Sequence, residues 1–287
     1  MILDGKTISH EIVSQLKERV VRLHAQLKIL VILVGEGPAS LSFINQKKKF
    51  ADKIGVEFKL VHLPIETTEQ EIINHIKLAN SDIEVSGIVV QLPLPKNINR
   101  ANVLNSIDVI KDPDVLSSEA YAGYIAGKSA IFPPVVGAVA VLLDKTGVNM
   151  SDSDIAVVGY GRLVGEPVGA WLKSKGLEYV VATEETTNLK AVLSNADVII
   201  TGVGKPHLIT KDMIKAGAIL LDAGTSDLPR DPSALSTTPS KISGDIDPAC
   251  ANKASYMSPV PGGIGPVAVA ILFANLLTLS LSRRSAK

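Results

Sequence analysis

The chain has 287 residues, a formal net charge of zero, and 46 % hydrophobic against 20 % charged residues. That balance belongs to a folded globular protein of one large domain or two ordinary ones. Zero net charge offers no basic surplus to nucleic acid or anionic lipid, and the single cysteine, Cys250, excludes an intramolecular disulfide and a cysteine-rich metal site.

The start, MILDGKTISHEI, lacks a basic stretch followed by an apolar run, so no signal peptide is expected. With one cysteine, a reducing cytoplasm is the expected location. Residues 5–25 read as an amphipathic helix, and KILVILVG (28–35) as a buried strand closed by glycine. Residues 39–54 carry helical spacing, and 56–63 predict a strand. Thr68 opens a helix through Ala79, with Glu71 placed for a capping box. SGIVVQLPLP (86–95) predicts a strand running into a proline-stiffened loop.

A helix at 137–145 precedes a second series: strand and glycine turn DIAVVGYG, helix 164–175, strand 178–182, helix 187–194, strand ADVIITG, helix 210–216 and strand AILLDAG. Alternating strands and helices imply parallel sheets with crossover helices, and the second series has the form of a dinucleotide fold. Residues 225–260 are rich in Pro, Ser and Asp and read as loop, with a short strand in KISGDI. Pro266–Leu281 is apolar throughout but carries Asn275, Thr278 and Ser280. A buried core helix is expected there rather than a membrane span.

Two places carry chemistry. Gly159-Tyr160-Gly161-Arg162-Leu163-Val164-Gly165 lies between a predicted strand and a predicted helix, where glycines let a pyrophosphate rest on a helix N-terminus. The spacing G-x-G-x-x-x-G also fits an ordinary glycine-rich turn. Glu184, about 20 residues past the glycines, is placed either for a ribose hydroxyl or as a solvated carboxylate. On the helix at 39–54, Ser40, Phe43, Ile44, Lys47, Phe50, Ala51 and Ile54 share one face. A lysine in that stripe either snorkels outward or is held in a cleft with a lowered pKa, where it serves as a general base.

DGKTI (4–8), ILVGEGPAS (32–40), GIVVQLPLP, KDPD (111–114), VVGYGRLVGEP (157–167), NADVIITGVGKP, DAGTS, GDI and SPVPGGIGP occur in order along nearly the whole chain. With these motifs the sequence resembles the bifunctional methylenetetrahydrofolate dehydrogenase/cyclohydrolase family, FolD. The resemblance implies a three-layer α/β catalytic domain from residues 1–136 with 266–287 and a Rossmann domain over 137–265. It implies oxidation of 5,10-methylenetetrahydrofolate and hydrolysis of the methenyl product to 10-formyltetrahydrofolate. It further implies tetrahydrofolate derivatives as partners, a homodimer, and neither nucleic acid nor membrane. Lys47 matches the family's cyclohydrolase lysine, Gln91 the glutamine that orients it, and Asp114 the aspartate that holds the pterin. Phe43 and the loop Pro261, Gly262 and Gly263 lie against the folate. Gly159, Tyr160, Gly161, Arg162, Gly165, Glu184 and Thr225 are the implied cofactor residues, and NADP is the implied cofactor.

The sequence also departs from the family pattern. Phe43 replaces a tyrosine, Phe132–Gly137 reads FPPVVG, Pro113 and Val115 alter the K-D-V-D-G motif, and Pro266-Val267-Ala268 replaces P-M-T. Tyr160 and Glu184 stand where the family places basic or hydroxyl side chains, which makes NAD an acceptable cofactor. A single-activity or non-catalytic relative is the alternative expectation.

Overall fold

The computed structural model describes residues 1–24, 26–227 and 242–285. It divides into two compact units, His10–Pro134 with Val269–Lys287, and Met1–Ser9 with Val135–Ala268.

The unit beginning at His10 contains α1 (Gly5–Arg22, from its second turn), β1 (Lys28–Val34), α2 (Pro38–Ile54), β2 (Glu57–Leu63), α3 (Glu69–Ser81), β3 (Gly87–Val90), α4 (Arg100–Asn105) and α5 (Ser118–Ile125). The strands form a parallel sheet in the order β2-β1-β3, with Val31 level with Leu60 and Val89. β1 is buried on both faces, so its side chains divide by parity. Ile29, Val31 and Leu33 face a core with Leu16, Ile44, Phe50 and Ala51, while Leu30, Ile32 and Val34 face one with Ile72, Ile76 and Val103. α2 starts with Pro38 in its first turn and ends at Gly55, whose φ of 76° is the left-handed cap that glycine adopts without strain. α3 has the expected capping box, Thr68 and Glu71 exchanging hydrogen bonds. The short helices α4 and α5 were not expected. The side chains of Asn99 and Ser117 cap them, a signal present in the sequence but weak over so few residues.

The other unit contains α6 (Pro134–Asp144, from its second residue), β4 (Ile155–Val158), α7 (Gly165–Ser174), β5 (Val180–Ala182), α8 (Leu189–Leu193), β6 (Val198–Thr201), β7 (Ile219–Asp222), β8 (Ser226–Asp227), β9 (Ile242–Ser243) and β10 (Tyr256–Met257). Its main sheet is parallel, in the order β10-β7-β6-β4-β5. The chain moves from β4 outward to β5, then returns to β6 on the other side of β4. The carboxyl ends of β4 and β6 are therefore a topological switch point, where open α/β sheets take their ligands. β8 and β9 pair antiparallel. Residues 1–9 belong here because Ile2 bridges Met257 and the Leu3 N–H donates to the Met257 carbonyl.

One expected element is corrected. Residues 210–216 form turns, not a helix. Met213 N–H closes onto Thr210 three residues back, Asp212 is engaged by Lys190 and Thr210, and Gly217 at φ 83° stops the segment. Of the loop expected over 225–260, residues 228–241 lie outside the described residues.

α9 (Ile264–Ser285) closes the chain. By length and composition it is apolar enough to cross a membrane, yet half of that window is buried. Ala270, Leu272, Phe273, Leu276 and Leu277 join the core of Leu16, Ile29 and Phe50, and Phe273 stacks on Phe50 at 5.0 Å between centroids. A fully buried phenylalanine contributes about 1.5–3 kcal/mol.

Candidate active site

The stripe on α2 behaves as an inward face, with Ser40, Ile44, Phe50, Ala51 and Ile54 buried and Phe43 and Lys47 half-buried. Lys48 and Lys49 are exposed, Lys48 pairing with Asp52 at 2.8 Å. Lys47 does not snorkel. Its Nζ donates to Gln91 Oε1 at 2.8 Å. Gln91 follows directly after β3. Its N–H continues the ladder onto Ile32 O at 2.8 Å, and its Nε2 donates to Leu92 O at 2.8 Å. That second bond turns the amide oxygen toward the lysine. Burial pushes the Lys47 pKa down, and the nearby Asp114 carboxylate opposes the shift. Burial pushes Asp114 up to about 6 against the pull of Lys47. Both side chains keep some accessible surface, as groups that meet a substrate must.

Asp114 sits in a braced turn whose braces are invisible in the sequence. Lys111 Nζ donates to the carbonyls of Ala79, Asn80 and Asp82 at 2.9, 2.7 and 2.7 Å, neutralising the C-terminus of α3. Asp112 is fully buried and accepts from the N–H groups of Ser117 at 2.8 Å and Leu116 at 3.3 Å. Asn275 of α9 donates its amide to the Pro113 and Phe132 carbonyls, both at 2.8 Å. The asparagine in the apolar helix thus ties two loops to the core. Val115, where the family has glycine, takes a φ of 56°. A β-branched residue there stores about 1–2 kcal/mol of backbone strain.

The other implied residues fall in the other unit. Gly262 has φ 111°, and a Cβ on Gly5 would collide with the Gly263 carbonyl. The DGK turn therefore approaches the Pro261–Gly263 loop only because residue 5 is glycine. In the glycine turn after β4 each glycine has its own role. Gly159 turns the chain at φ 79°, and a Cβ there would meet Val203 at 2.8 Å. A Cβ on Gly165 would collide with the Gly159 carbonyl, so this glycine lets α7 approach β4. A Cβ on Gly161 would meet nothing within 4 Å, which leaves open backbone beside the α7 N-terminus, itself without a side-chain cap. Such a turn fits the pyrophosphate of a dinucleotide.

Around that turn, Tyr160 is exposed and its hydroxyl meets that of Tyr179, which burial and this bond push up to about 12. Gly169 leaves room for both rings. Arg162 is half-buried, and Glu184 and Thr225 are exposed. Glu184 projects from a tight turn after β5, closed by Thr183 N–H donating to Thr186 Oγ1 at 2.9 Å. Among the described residues, no three His, Cys, Asp or Glu side chains group as metal ligands.

Comparison with known proteins gives a consistent answer. Residues 3–114 match the family model described as tetrahydrofolate dehydrogenase/cyclohydrolase, catalytic domain, and residues 133–284 match its NAD(P)-binding domain. The chain is 35 % identical over 287 residues to the bifunctional protein FolD of Moorella thermoacetica, covering 99 % of each chain. Among solved structures, the bifunctional FolD of Campylobacter jejuni aligns with a TM-score of 0.89 at 32 % identity over 99 % of both chains. The Trypanosoma brucei enzyme, complexed with NADP and an inhibitor, aligns at 0.93 and 29 % identity over 100 % of this chain and 98 % of that one.

Proposed function

Because this chain belongs to the tetrahydrofolate dehydrogenase/cyclohydrolase family, we propose that it oxidises 5,10-methylenetetrahydrofolate to the methenyl compound with NADP and hydrolyses that compound to 10-formyltetrahydrofolate. The observation that carries this reading is the Lys47–Gln91 hydrogen bond at 2.8 Å, with Asp114 close enough for each charge to move the other's pKa.

Bound NADP supplies the hydride acceptor. The Gly159–Gly165 turn and the N-terminus of α7 hold its pyrophosphate, and Thr225 and the residues around Glu184 border the nucleotide. The folate is held by Asp114, whose carboxylate accepts hydrogen bonds from the pterin N–H groups, and by Phe43. Orientation of the methylene carbon accounts for most of the first step.

In the second step, water attacks the methenyl carbon. Lys47, with its lowered pKa, takes the proton that water loses. Gln91 accepts a hydrogen bond from the amine and fixes its direction. The hydroxyl now on that carbon loses its proton to solvent as it becomes the formyl carbonyl, the bond from the carbon to the ring nitrogen breaks, and the amine returns its proton to that nitrogen, leaving the formyl group on the other nitrogen and one net proton released. NADP-dependent conversion of methylenetetrahydrofolate, with the methenyl species followed separately, tests the reading.

The same proposal assigns the folate chemistry to residues 1–136 with 266–287 and nucleotide binding to 137–265. It places the protein in the cytoplasm as a homodimer, with no nucleic-acid or membrane partner. The neutral net charge, the lone Cys250 and the core-packed face of α9 support the location and the absent partners. Family resemblance supports the dimer, which solution sizing tests.

A further inference from the structure

Two buried aspartates in the unit that carries the glycine turn have no part in the chemistry above. Asp222 ends β7 in DAGTS, and Asp245 follows β9 in GDI; they are 2 % and 0 % exposed. Each packs where the other motif has a glycine. A Cβ on Gly224 would collide with the Asp245 carboxylate, and a Cβ on Gly244 would collide with that of Asp222. The two motifs are therefore reciprocal, the aspartate of one requiring the glycine of the other.

Asp245 is the busier partner. Its Oδ2 accepts from Thr201 Oγ1 at 2.8 Å and Val203 N–H at 2.7 Å, and its Oδ1 from Gly204 and Lys205 N–H at 2.9 and 2.8 Å. Four donors match the four lone-pair sites of an ionised carboxylate. Asp222 accepts from the N–H groups of Gly224 at 2.9 Å and Ile246 at 2.8 Å, which fixes the DAGTS turn and the GDI segment against each other.

The loop that Asp245 gathers, 202–205, leaves the carboxyl end of β6 at the topological switch point. It is packed against the glycine turn. A Cβ on Gly159 would meet Val203 Cγ2 at 2.8 Å, and a Cβ on Gly202 would meet Val164 at 2.5 Å. Any shift of this loop moves the turn. Three successive N–H groups on one loop would otherwise form an anion-binding nest. Asp245 fills that nest internally, so phosphate is left to the Gly159–Gly165 turn.

We propose that Asp245 is a positioning residue for the nucleotide site: it touches no cofactor, but sets loop 202–205 and through it the glycine turn, with Asp222 and the two glycines holding it in place. This rests on the dinucleotide reading of that turn.

The test is Asp245→Asn in the full chain, which keeps the shape but turns an amide toward backbone donors. The KM for NADP rises by about tenfold, while the KM for methylenetetrahydrofolate changes by less than about threefold. Hydrogen exchange at Val203, Gly204 and Lys205 accelerates selectively in the same variant. A purely structural role lowers the melting temperature and active fraction but leaves both KM values as they were. If Asp245→Asn does not fold, Thr201→Val removes one of the four donors, and a rise of about two- to fivefold in the NADP KM is expected. Wild type that binds NADP, with a folded variant of unchanged NADP KM or unchanged exchange at the three amides, overturns this inference alone. Wild type that does not bind NADP in a direct titration overturns the dinucleotide reading, and this inference with it.

Discussion

Lys47 Nζ and Gln91 Oε1, 44 positions apart in sequence, meet at 2.8 Å, joining the inward face of α2 to the end of β3. Gln91 is held at its N–H by β1 and at its amide by Leu92 O. The lysine is thereby aimed rather than merely buried. Gln91→Leu keeps the volume but removes the acceptor. Hydrolysis of the methenyl compound should fall by about 10- to 100-fold, with the melting temperature nearly unchanged. Steady-state hydrolysis alongside a melting curve checks this, and undiminished hydrolysis in Gln91→Leu contradicts the orienting role.

Asp114, pushed up to about 6, gives two opposite pH effects. A pterin-binding carboxylate works only when ionised, so the KM for folate substrate should rise as pH falls through about 6. Asp114→Asn should bind weakly with little pH dependence. Stability runs the other way. The folded pKa lies above the ordinary carboxylate value, so the native state holds this proton more tightly than the unfolded chain does. The stability contributed is full below about pH 4 and is lost as pH rises through about 6. Melting temperatures of wild type relative to Asp114→Asn should therefore decline from about pH 4 to about pH 7. A folate KM that is flat across that range contradicts the assignment.

Phe43 lies one helical turn before Lys47 on α2. Its missing hydroxyl removes at most one hydrogen bond near the lysine, about 0.5–1.5 kcal/mol. Phe43→Tyr should raise cyclohydrolase turnover, by at most about tenfold. A decrease shows that the pocket has closed around phenylalanine.

These positions show what was legible in the sequence and what was not. β1, α2, α3 and the α7 turn could be read because each has a strong local signal: a continuous apolar run, a one-sided stripe, a capping box, a glycine cluster. Lys47 stood out as a charge on an apolar face. Its partner Gln91, like Asp114, came from family resemblance, since no local pattern links residues in different elements. The bracing by Lys111, Asp112 and Asn275 depends on carbonyls and N–H groups whose positions exist only after folding. Residues 210–216 misled because the partners that bend the segment into turns, Lys190 on Asp212 and Thr210 on Met213, are contacts no local pattern reveals.

Glu184 projects beside the implied nucleotide site, and Tyr160 stands in the glycine turn where the family has arginine. A carboxylate about 4 Å from a phosphate is repelled by about 4 kcal/mol per unit charge at an effective dielectric of 20. Exposure and salt reduce this considerably. Glu184→Ser should tighten NADP several-fold and leave NAD nearly unchanged. Dissociation constants for both nucleotides at one salt concentration decide it. If the NADP affinity is indifferent to Glu184→Ser but collapses in Arg162→Ala, then Arg162 governs the phosphate end.

On the proposed function, one chain performs both steps and Lys47 serves the second. The most direct measurement is the time course of methylenetetrahydrofolate with NADP, following the methenyl species by its absorbance, in wild type and in Lys47→Ala, Lys48→Ala and Lys49→Ala. Wild type and the two neighbouring variants should pass through to 10-formyltetrahydrofolate. Lys47→Ala, folded as wild type is, should reduce NADP and accumulate the methenyl compound. No NADP reduction by wild type, or hydrolysis by Lys47→Ala at the wild-type rate, would contradict it.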